Sequence, residues 1–360
     1  MSDSDSLNQG SSSPPRVSVL MITYNHARYI GQAIDSVLAQ QTDFSVELVI
    51  GEDCSTDGTR RICEEFAARH PQRIRLLPSV RNLGLLANYM RTWEECDGDF
   101  IATIDGDDFW LDSGKLATQV NVLESNPSLS MCFHNARLAD ENGILANAVH
   151  DTASVPLEMP FREFVDNGLF MPTATVMFRG GLFRQLPDWM RALPFEDWPT
   201  HVLHATKGPI AYVPQTLCAY RIHPEGAWSG LDRLKQCRQS YEVRGAVCRH
   251  LKVPGNRVQE AIRCELARRV AKEQALCGRL LPAGTWLARS WRHRVRALGA
   301  ASPIPRTRLW GPVFRHLPAM LLKRVEVRCP ALLSLYRTAK RRRAANRETA
   351  SISGPCPGEK

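Results

Sequence analysis

The chain has 360 residues, of which 44% are hydrophobic and 23% charged, and its net charge is +9. That suffices for one large domain or one domain with appendages, and no apolar run approaches the roughly 20 residues a membrane span needs. The charge is uneven, with 17 Lys and Arg against 29 Asp and Glu in residues 1–230 (−12), and 29 against 8 in residues 231–360 (+21).

An acidic front and a basic back predict two parts with different partners. The 11 cysteines are scattered and form no C-x-x-C pair, which fits reduced thiols in a cytosol better than a disulfide framework or a zinc site. Residues 1–15 are polar, lack the apolar core of a signal peptide and read as a disordered tail.

Residues 17–24 form a continuous apolar run that ends in small polar residues, the pattern of a central parallel strand. Asn25 then caps a predicted helix whose buried face is Tyr29, Ile30, Ala33, Ile34, Val37 and Leu38. A second strand over 46–51 runs into Glu52-Asp53-Cys54-Ser55-Thr56-Asp57. A helix through Ile62 and Phe66, a strand over 74–77, turn chemistry at Arg81-Asn82-Leu83-Gly84 and a helix through Leu86, Tyr89 and Trp93 follow. Strand–helix alternation with short connections predicts an α/β domain with a mostly parallel sheet, whose ligands bind beyond the carboxyl ends of the strands.

The next strand, 100–104, stops at Asp105-Gly106-Asp107-Asp108. Like charges this close repel, and a hard divalent cation, Mg2+ or Mn2+, is their natural guest. The alternative is a polar loop that starts a helix, with Asp108 or Asp112 as its cap. No G-x-G-x-x-G or Walker pattern occurs, so a dinucleotide or P-loop enzyme is not expected.

A helix then runs from Lys115 through Leu116, Val120 and Leu123 to Asn126-Pro127. Residues 129–133 read as a strand, 138–147 as a hairpin around Asn142-Gly143, 161–165 as a helix and 172–179 as a strand. His134, near a strand end, reads as a surface histidine, with substrate contact as the other reading. Phe195-Glu196-Asp197-Trp198 sets paired carboxylates in a stiff, partly apolar loop. Desolvation and mutual repulsion there suit a general base; N-capping of the following helix is the alternative for Asp197. Two short strands, 210–214 and 217–222, lead to Tyr220-Arg221-Ile222-His223-Pro224.

Taken in order, residues 17–25, 47–59, 82–84 and 105–108 resemble the nucleotide-sugar motifs of family 2 inverting glycosyltransferases with the GT-A fold. The resemblance runs from about residue 17 to residue 229, and its specificity lies in the ordered combination rather than in the D-x-D triplet. Ile22 stands where many members have proline, and Glu52-Asp53-Cys54 where Asp-Asp-Gly is common. The resemblance implies that Thr23 and Tyr24 line the nucleotide pocket, that Asp53 accepts a hydrogen bond from the base with Glu52 beside it, and that Asn82 stands over the base or ribose. It further implies that Asp105 reaches the ribose and Asp107 holds the metal. Asp197 would deprotonate the acceptor hydroxyl with Glu196 in support, while Arg221 and His223 would approach the diphosphate, His223 as a metal or phosphate contact. The implied partners are a nucleotide-sugar donor, probed first as a UDP-sugar, and a glycan or lipid-linked acceptor in surface polysaccharide or glycoconjugate synthesis. A nucleotidyltransferase on a similar scaffold would need a basic, glycine-rich triphosphate loop, which is not visible. The Q-x-x-R-W pattern of processive synthases is also absent.

From residue 231 onward Arg and Lys interleave with Trp286, Trp291, Trp310 and Phe314, with helical stretches over 231–251 and 257–281. An anionic membrane surface on the cytoplasmic side suits this composition better than nucleic acid, for which no binding is expected. A solvated helical appendage or a dimerisation region accounts for it as well. A non-enzymatic protein driven by this basic tail would not need Asp105, Asp107 and Asp197. The expected organisation is a tail over 1–15, a GT-A-type domain over 16–230, a basic, mainly helical region over 231–348 and a disordered tail over 349–360.

Overall fold

The structure, a computed structural model, describes residues 16–150, 155–167, 169–252, 266–272 and 289; both expected terminal tails and most of the basic region lie outside them. The chain divides into two units, Met1–Gly230 and Leu231–Lys360.

In the first unit the alternation opens as β1 (Val17–Thr23), α1 (Ile30–Leu38), β2 (Val46–Glu52), α2 (Thr59–Arg69), β3 (Ile74–Pro78), α3 (Leu85–Glu94) and β4 (Phe100–Asp105). It continues through β5 (Phe109–Trp110), α4 (Lys115–Ser125), β6 (Met131–Asp140), β7 (Gly143–His150), β8 (Glu158–Met159), α5 (Phe161–Asn167), β9 (Met177–Arg179), α6 (Asp197–Ala205) and β10 (Ile210–Arg221). The sheet runs β3-β2-β1-β4-β9-β6-β10-β5, with β7 on β6 and β8 on β10. Strands β3, β2, β1 and β4 are parallel, and β1 sits in its centre without a single exposed residue, as its unbroken apolar run requires. One side of the sheet packs on Ile30, Ala33, Ile34 and Val37 of α1 and on Leu116, Val120 and Leu123 of α4.

The reversed strand β9 positions the site. It pairs antiparallel with both β4 and β6, so β6 returns to the direction of β4, and β10 runs parallel to β6. The carboxyl ends of β1, β2, β4, β6 and β10 therefore open on one edge of the sheet.

Three expectations are corrected here. Residues 172–179 are not one strand: Thr173–Thr175 form a 3-10 turn before β9. Its carbonyls are claimed by side chains, Thr173 by Thr103 (2.8 Å), Ala174 by the Trp110 indole (3.2 Å) and Thr175 by Gln119 (2.9 Å), and so cannot join a ladder. The two strands around Pro214 are one, β10, with register shifts at Val213, Thr216 and Cys218 that accommodate the missing proline N–H. His134 is not on the surface. It is 1% exposed, its Nδ1 lies 2.8 Å from the Asn135 carbonyl, and burial, with Lys115 adding to the effect, pushes its pKa down to about 3.

On α6, His204 is wholly buried among Trp93, Phe178 and Phe183, at ring separations of 5.3, 4.4 and 5.0 Å. Burial pushes its pKa down to about 4. A base whose folded pKa lies below its unfolded value costs nothing above the unfolded value and progressively more as pH falls toward the folded one. At pH 5 that cost is about 2 kcal/mol. Urea unfolding of His204→Phe should thus show a stability relative to the parent that rises by about 2 kcal/mol between pH 7.5 and pH 5. An unchanged difference at the two pH values would show that His204 is not buried neutral.

In the second unit, α7 (Arg233–His250) starts at Asp232, whose carboxylate accepts the Lys235 N–H at 2.9 Å. Cys237 packs with Ala267, Val270 and Ala271 of a helical segment over 266–272, the described part of the expected second helix. Among the described residues no helix is long and apolar enough to cross a membrane.

Candidate active site

The first two strand ends are stitched together. Asn25 does not cap α1, which starts only at Ile30 behind Tyr29 and without a side-chain cap. Instead Asn25 adopts a left-handed conformation (φ 57°), donates its N–H to Ser55 Oγ at 3.0 Å and accepts the Thr56 N–H at 2.8 Å. Asp57 accepts the Ala27 N–H at 3.0 Å and the Thr59 N–H at 2.9 Å. Burial alone would raise the Asp57 carboxyl's pKa, but these bonds, with His26 nearby, hold it below the usual carboxylate range. Cys54 is also left-handed (φ 59°), a conformation that favours glycine and so explains the common Gly at this point of the motif.

Around this scaffold the expected donor residues differ in position. Thr23 is buried at the end of β1, and Tyr24 stands 40% exposed at the rim. Asp53 is buried, with its two oxygens accepting the Leu83 and Gly84 N–H at 2.7 and 2.9 Å, so the carboxylate expected at the base also holds the Asn82 loop. Asn82 is exposed and turns back on the Gly84 N–H at 3.0 Å. The Glu52 side chain is fully buried beside Asp53 and engaged by Arg60 Nε at 2.7 Å and the Ser55 N–H at 2.6 Å, so it braces the loop from beneath.

At the end of β4, one oxygen each from Asp105, Asp107 and Asp108 lie within 4.8 Å of one another. Gly106 makes this possible, because a Cβ there would stand 2.6 Å from Thr23 Oγ1 and 2.9 Å from His26 Nδ1. Neither Asp108 nor Asp112 caps the next helix: Asp108 Oδ1 accepts the Arg221 N–H at 2.8 Å, and Asp112 turns onto the Gly114 N–H at 2.7 Å. The three acids are electrostatically unequal. Burial, then Asp107 and Asp197, push Asp105 up to about 8, and burial, then Asp107 and Asp105, raise Asp108 well above the carboxylate range. Asp107 is held low against its burial by His26 and by His223, whose Nε2 lies 2.9 Å from Oδ2. Three clustered hard oxygen donors, with Asp108 Oδ2 buried and meeting no hydrogen-bond partner among the described residues, fit Mg2+ or Mn2+.

Facing them is the start of α6. Glu196 is buried and immediately precedes the helix, with its carbonyl held by Thr200 at 2.7 Å. Burial, then Asp105 and Asp197, raise its pKa well above the carboxylate range. Asp197 is the first helical residue rather than the cap, accepts the Trp198 N–H at 2.6 Å and is only partly buried. Of the pair, Asp197 is the more exposed.

Arg221 is turned inward. It is 5% exposed, and all three guanidinium nitrogens bind protein oxygens: Nε the Asp107 carbonyl (2.8 Å), Nη1 the Asp140 carbonyl (2.6 Å) and Nη2 Gln32 Oε1 (2.8 Å). It also lies over the rings of Tyr29 and Phe109. These bonds tie the end of β10 to the acidic loop. After it, Ser229 Oγ accepts the His223 N–H at 3.3 Å and donates to the His223 carbonyl at 3.0 Å, closing a loop that lays Trp228 against Phe195 at 5.3 Å.

Sequence reasoning missed His26, whose Nδ1 lies 3.3 Å from Thr23 Oγ1 and whose Nε2 lies 3.7 Å from Asp107 Oδ2. Its available signal was its place three residues after Thr23, in a loop bound for the acidic strand end. Gln32 and Asp140 gave no signal, because they matter only through their contacts with Arg221.

Residues 18–185 match the family model described as Glycosyl transferase family 2. The uncharacterised protein Rv1520 of Mycobacterium tuberculosis is 36% identical over 269 residues, 71% of this chain and 74% of that protein. Among solved structures, S. aureus TarS in complex with UDP-GlcNAc superposes with a TM-score of 0.55 at 16% identity, covering 92% of each chain. Mannosyltransferase PcManGT from Pyrobaculum calidifontis, in complex with GDP-Man and Mn2+, gives 0.52 at 18% identity over 91% of this chain and 87% of its own. At such identities the likeness is one of fold.

Proposed function

The chain belongs to glycosyl transferase family 2 and has the GT-A fold, and from that premise we propose that it is an inverting enzyme that moves a sugar from a nucleotide diphosphate sugar to a hydroxyl of a glycan or lipid-linked acceptor. The observation that carries this reading is the meeting of two acid sets: Asp105 and Asp107 at the end of β4, and Asp197 at the start of α6, close enough to raise the Asp105 pKa.

In this reading Thr23, Tyr24, Asp53 and Asn82 hold the nucleotide, and Asp105 and Asp107 hold a divalent cation, with His223 fixing Asp107. The cation, when bound, neutralises charge on the departing diphosphate. Asp197 takes the acceptor's hydroxyl proton as the new glycosidic bond forms and the bond to the diphosphate breaks on the opposite face, which inverts the anomeric carbon. Glu196, buried beside it, supports the base. A UDP-sugar is the first donor to test, since TarS was solved with UDP-GlcNAc, and Mn2+ the first ion, since PcManGT was solved with it. Calorimetric titration of UDP- and GDP-sugars with Mn2+ tests the reading. Saturable heat with at least one donor supports it, and no binding by any donor overturns it.

The balance of +21 in residues 231–360 supports a cytoplasmic enzyme held on an anionic membrane face beside a lipid-linked acceptor in surface polysaccharide synthesis. The full chain is expected to cosediment with vesicles containing anionic lipid and to lose them as salt rises from about 50 to about 500 mM, roughly a threefold shortening of the Debye length. Equal binding to neutral vesicles would remove this proposal.

A further inference from the structure

His26 has no part in the reading above, yet the fold builds it into the acid cluster. Its carbonyl accepts the Tyr29 and Ile30 N–H groups, each at 2.8 Å, which fixes its backbone at the entry to α1. Its ring is fixed as well. Nδ1 lies 3.3 Å from Thr23 Oγ1, and the glycine at 106 leaves the space beside Nδ1 that a side chain would fill. The arrangement that satisfies both ring nitrogens has Thr23 donating to Nδ1, which leaves the N–H on Nε2, directed at Asp107 Oδ2.

That oxygen is met twice. His223 Nε2 lies 2.9 Å from it and His26 Nε2 3.7 Å, with the two rings 6.4 Å apart and nearly perpendicular at 81°. The first distance is a direct hydrogen bond. The second is too long for one, and matches the reach of a group that acts on a carboxylate through its field or through a shared oxygen ligand. Imidazoles that orient a metal-bound carboxylate in this way set affinity without being ligands themselves.

We propose that His26 is a positioning residue for the cation site: held by Thr23, it aligns the Asp107 carboxylate from the β1 side while His223 holds it from the β10 side. The proposal rests on the cation reading of Asp105 and Asp107. It accounts for two features at once, the glycine at 106 and the otherwise unused ring between Thr23 and Asp107.

The test is Mn2+ affinity of the full chain, titrated alone and with saturating UDP, for the parent, His26→Ala and His26→Gln, with melting temperatures recorded in chelator. His26→Ala is expected to lose roughly 10–100-fold in Mn2+ affinity with little change in melting temperature in chelator. His26→Gln, whose amide N–H falls near the position of Nε2, should recover most of that loss. The inference is overturned if His26→Ala binds Mn2+ within about twofold of the parent. It is equally overturned if the loss comes with a matching drop in chelator melting temperature and His26→Gln restores neither, since His26 then only supports the loop. A parent that binds no Mn2+ under either condition overturns the cation reading itself, and the role of His26 with it.

Discussion

Asp197→Asn is expected to bind donor as tightly as the parent and to turn over roughly 10²–10⁴-fold more slowly, the range for loss of a positioned general base. The amide keeps the size of the side chain and its contact with the Trp198 N–H, so α6 should still form. What it would lose, in the proposed reaction, is the oxygen that takes the acceptor's proton. Donor affinity by calorimetry separates this from damage to the β4 acids, on which the charge of Asp197 acts. The acidic limb of the kcat–pH profile should disappear as well. A variant with parent turnover and an intact acidic limb would leave Asp197 as the opening residue of a helix. His134 would not inherit the role, since it is buried and its pKa, pushed down to about 3, makes it too weak a base. Glu196 would be next, and its raised pKa would move the acidic limb to higher pH.

Asp107→Asn should act on the other half of the reaction. It removes the one acid of the triad that the surrounding imidazoles hold ionised, and it leaves His223 Nε2 facing an amide. Metal-supported donor affinity is expected to fall roughly 10²-fold or more, beyond the 10–100-fold lost when only an outer partner of a metal ligand is removed. Chelation of the parent should abolish transfer. Full activity of Asp107→Asn in chelator would sink the cation assignment.

The difference between what could and could not be read in the sequence is one of range. The parallel half of the sheet was legible because β1 and β4 carry unbroken apolar runs and α1 a clean helical stripe, both of which are local patterns. The acids at the end of β4 and at the start of α6 were legible because repelling charges on an apolar element need a reason wherever the chain takes them. Roles fixed by distant partners were not. Asn25 looked like a cap because nothing nearby showed that the loop after β2, some 30 residues on, would claim its side chain. Arg221 looked free for a phosphate because its three acceptors come from α1, the acidic loop and the end of β6. His134 looked exposed because a strand end usually is, and only the packing around β6 encloses it.

The clasp between Ser229 and His223 bears on how such an enzyme can diverge. Residues 224–228 form the tip of a loop whose base, through His223, is joined to Asp107. Exchanging the tip for another sequence alters what lies beside Trp228 and Phe195, yet leaves the imidazole on the acid so long as both ends of the clasp are kept. A change at Ser229 reaches the acid without touching the tip. The tip can therefore vary between two fixed residues, whereas a change at Ser229 or His223 is felt at Asp107.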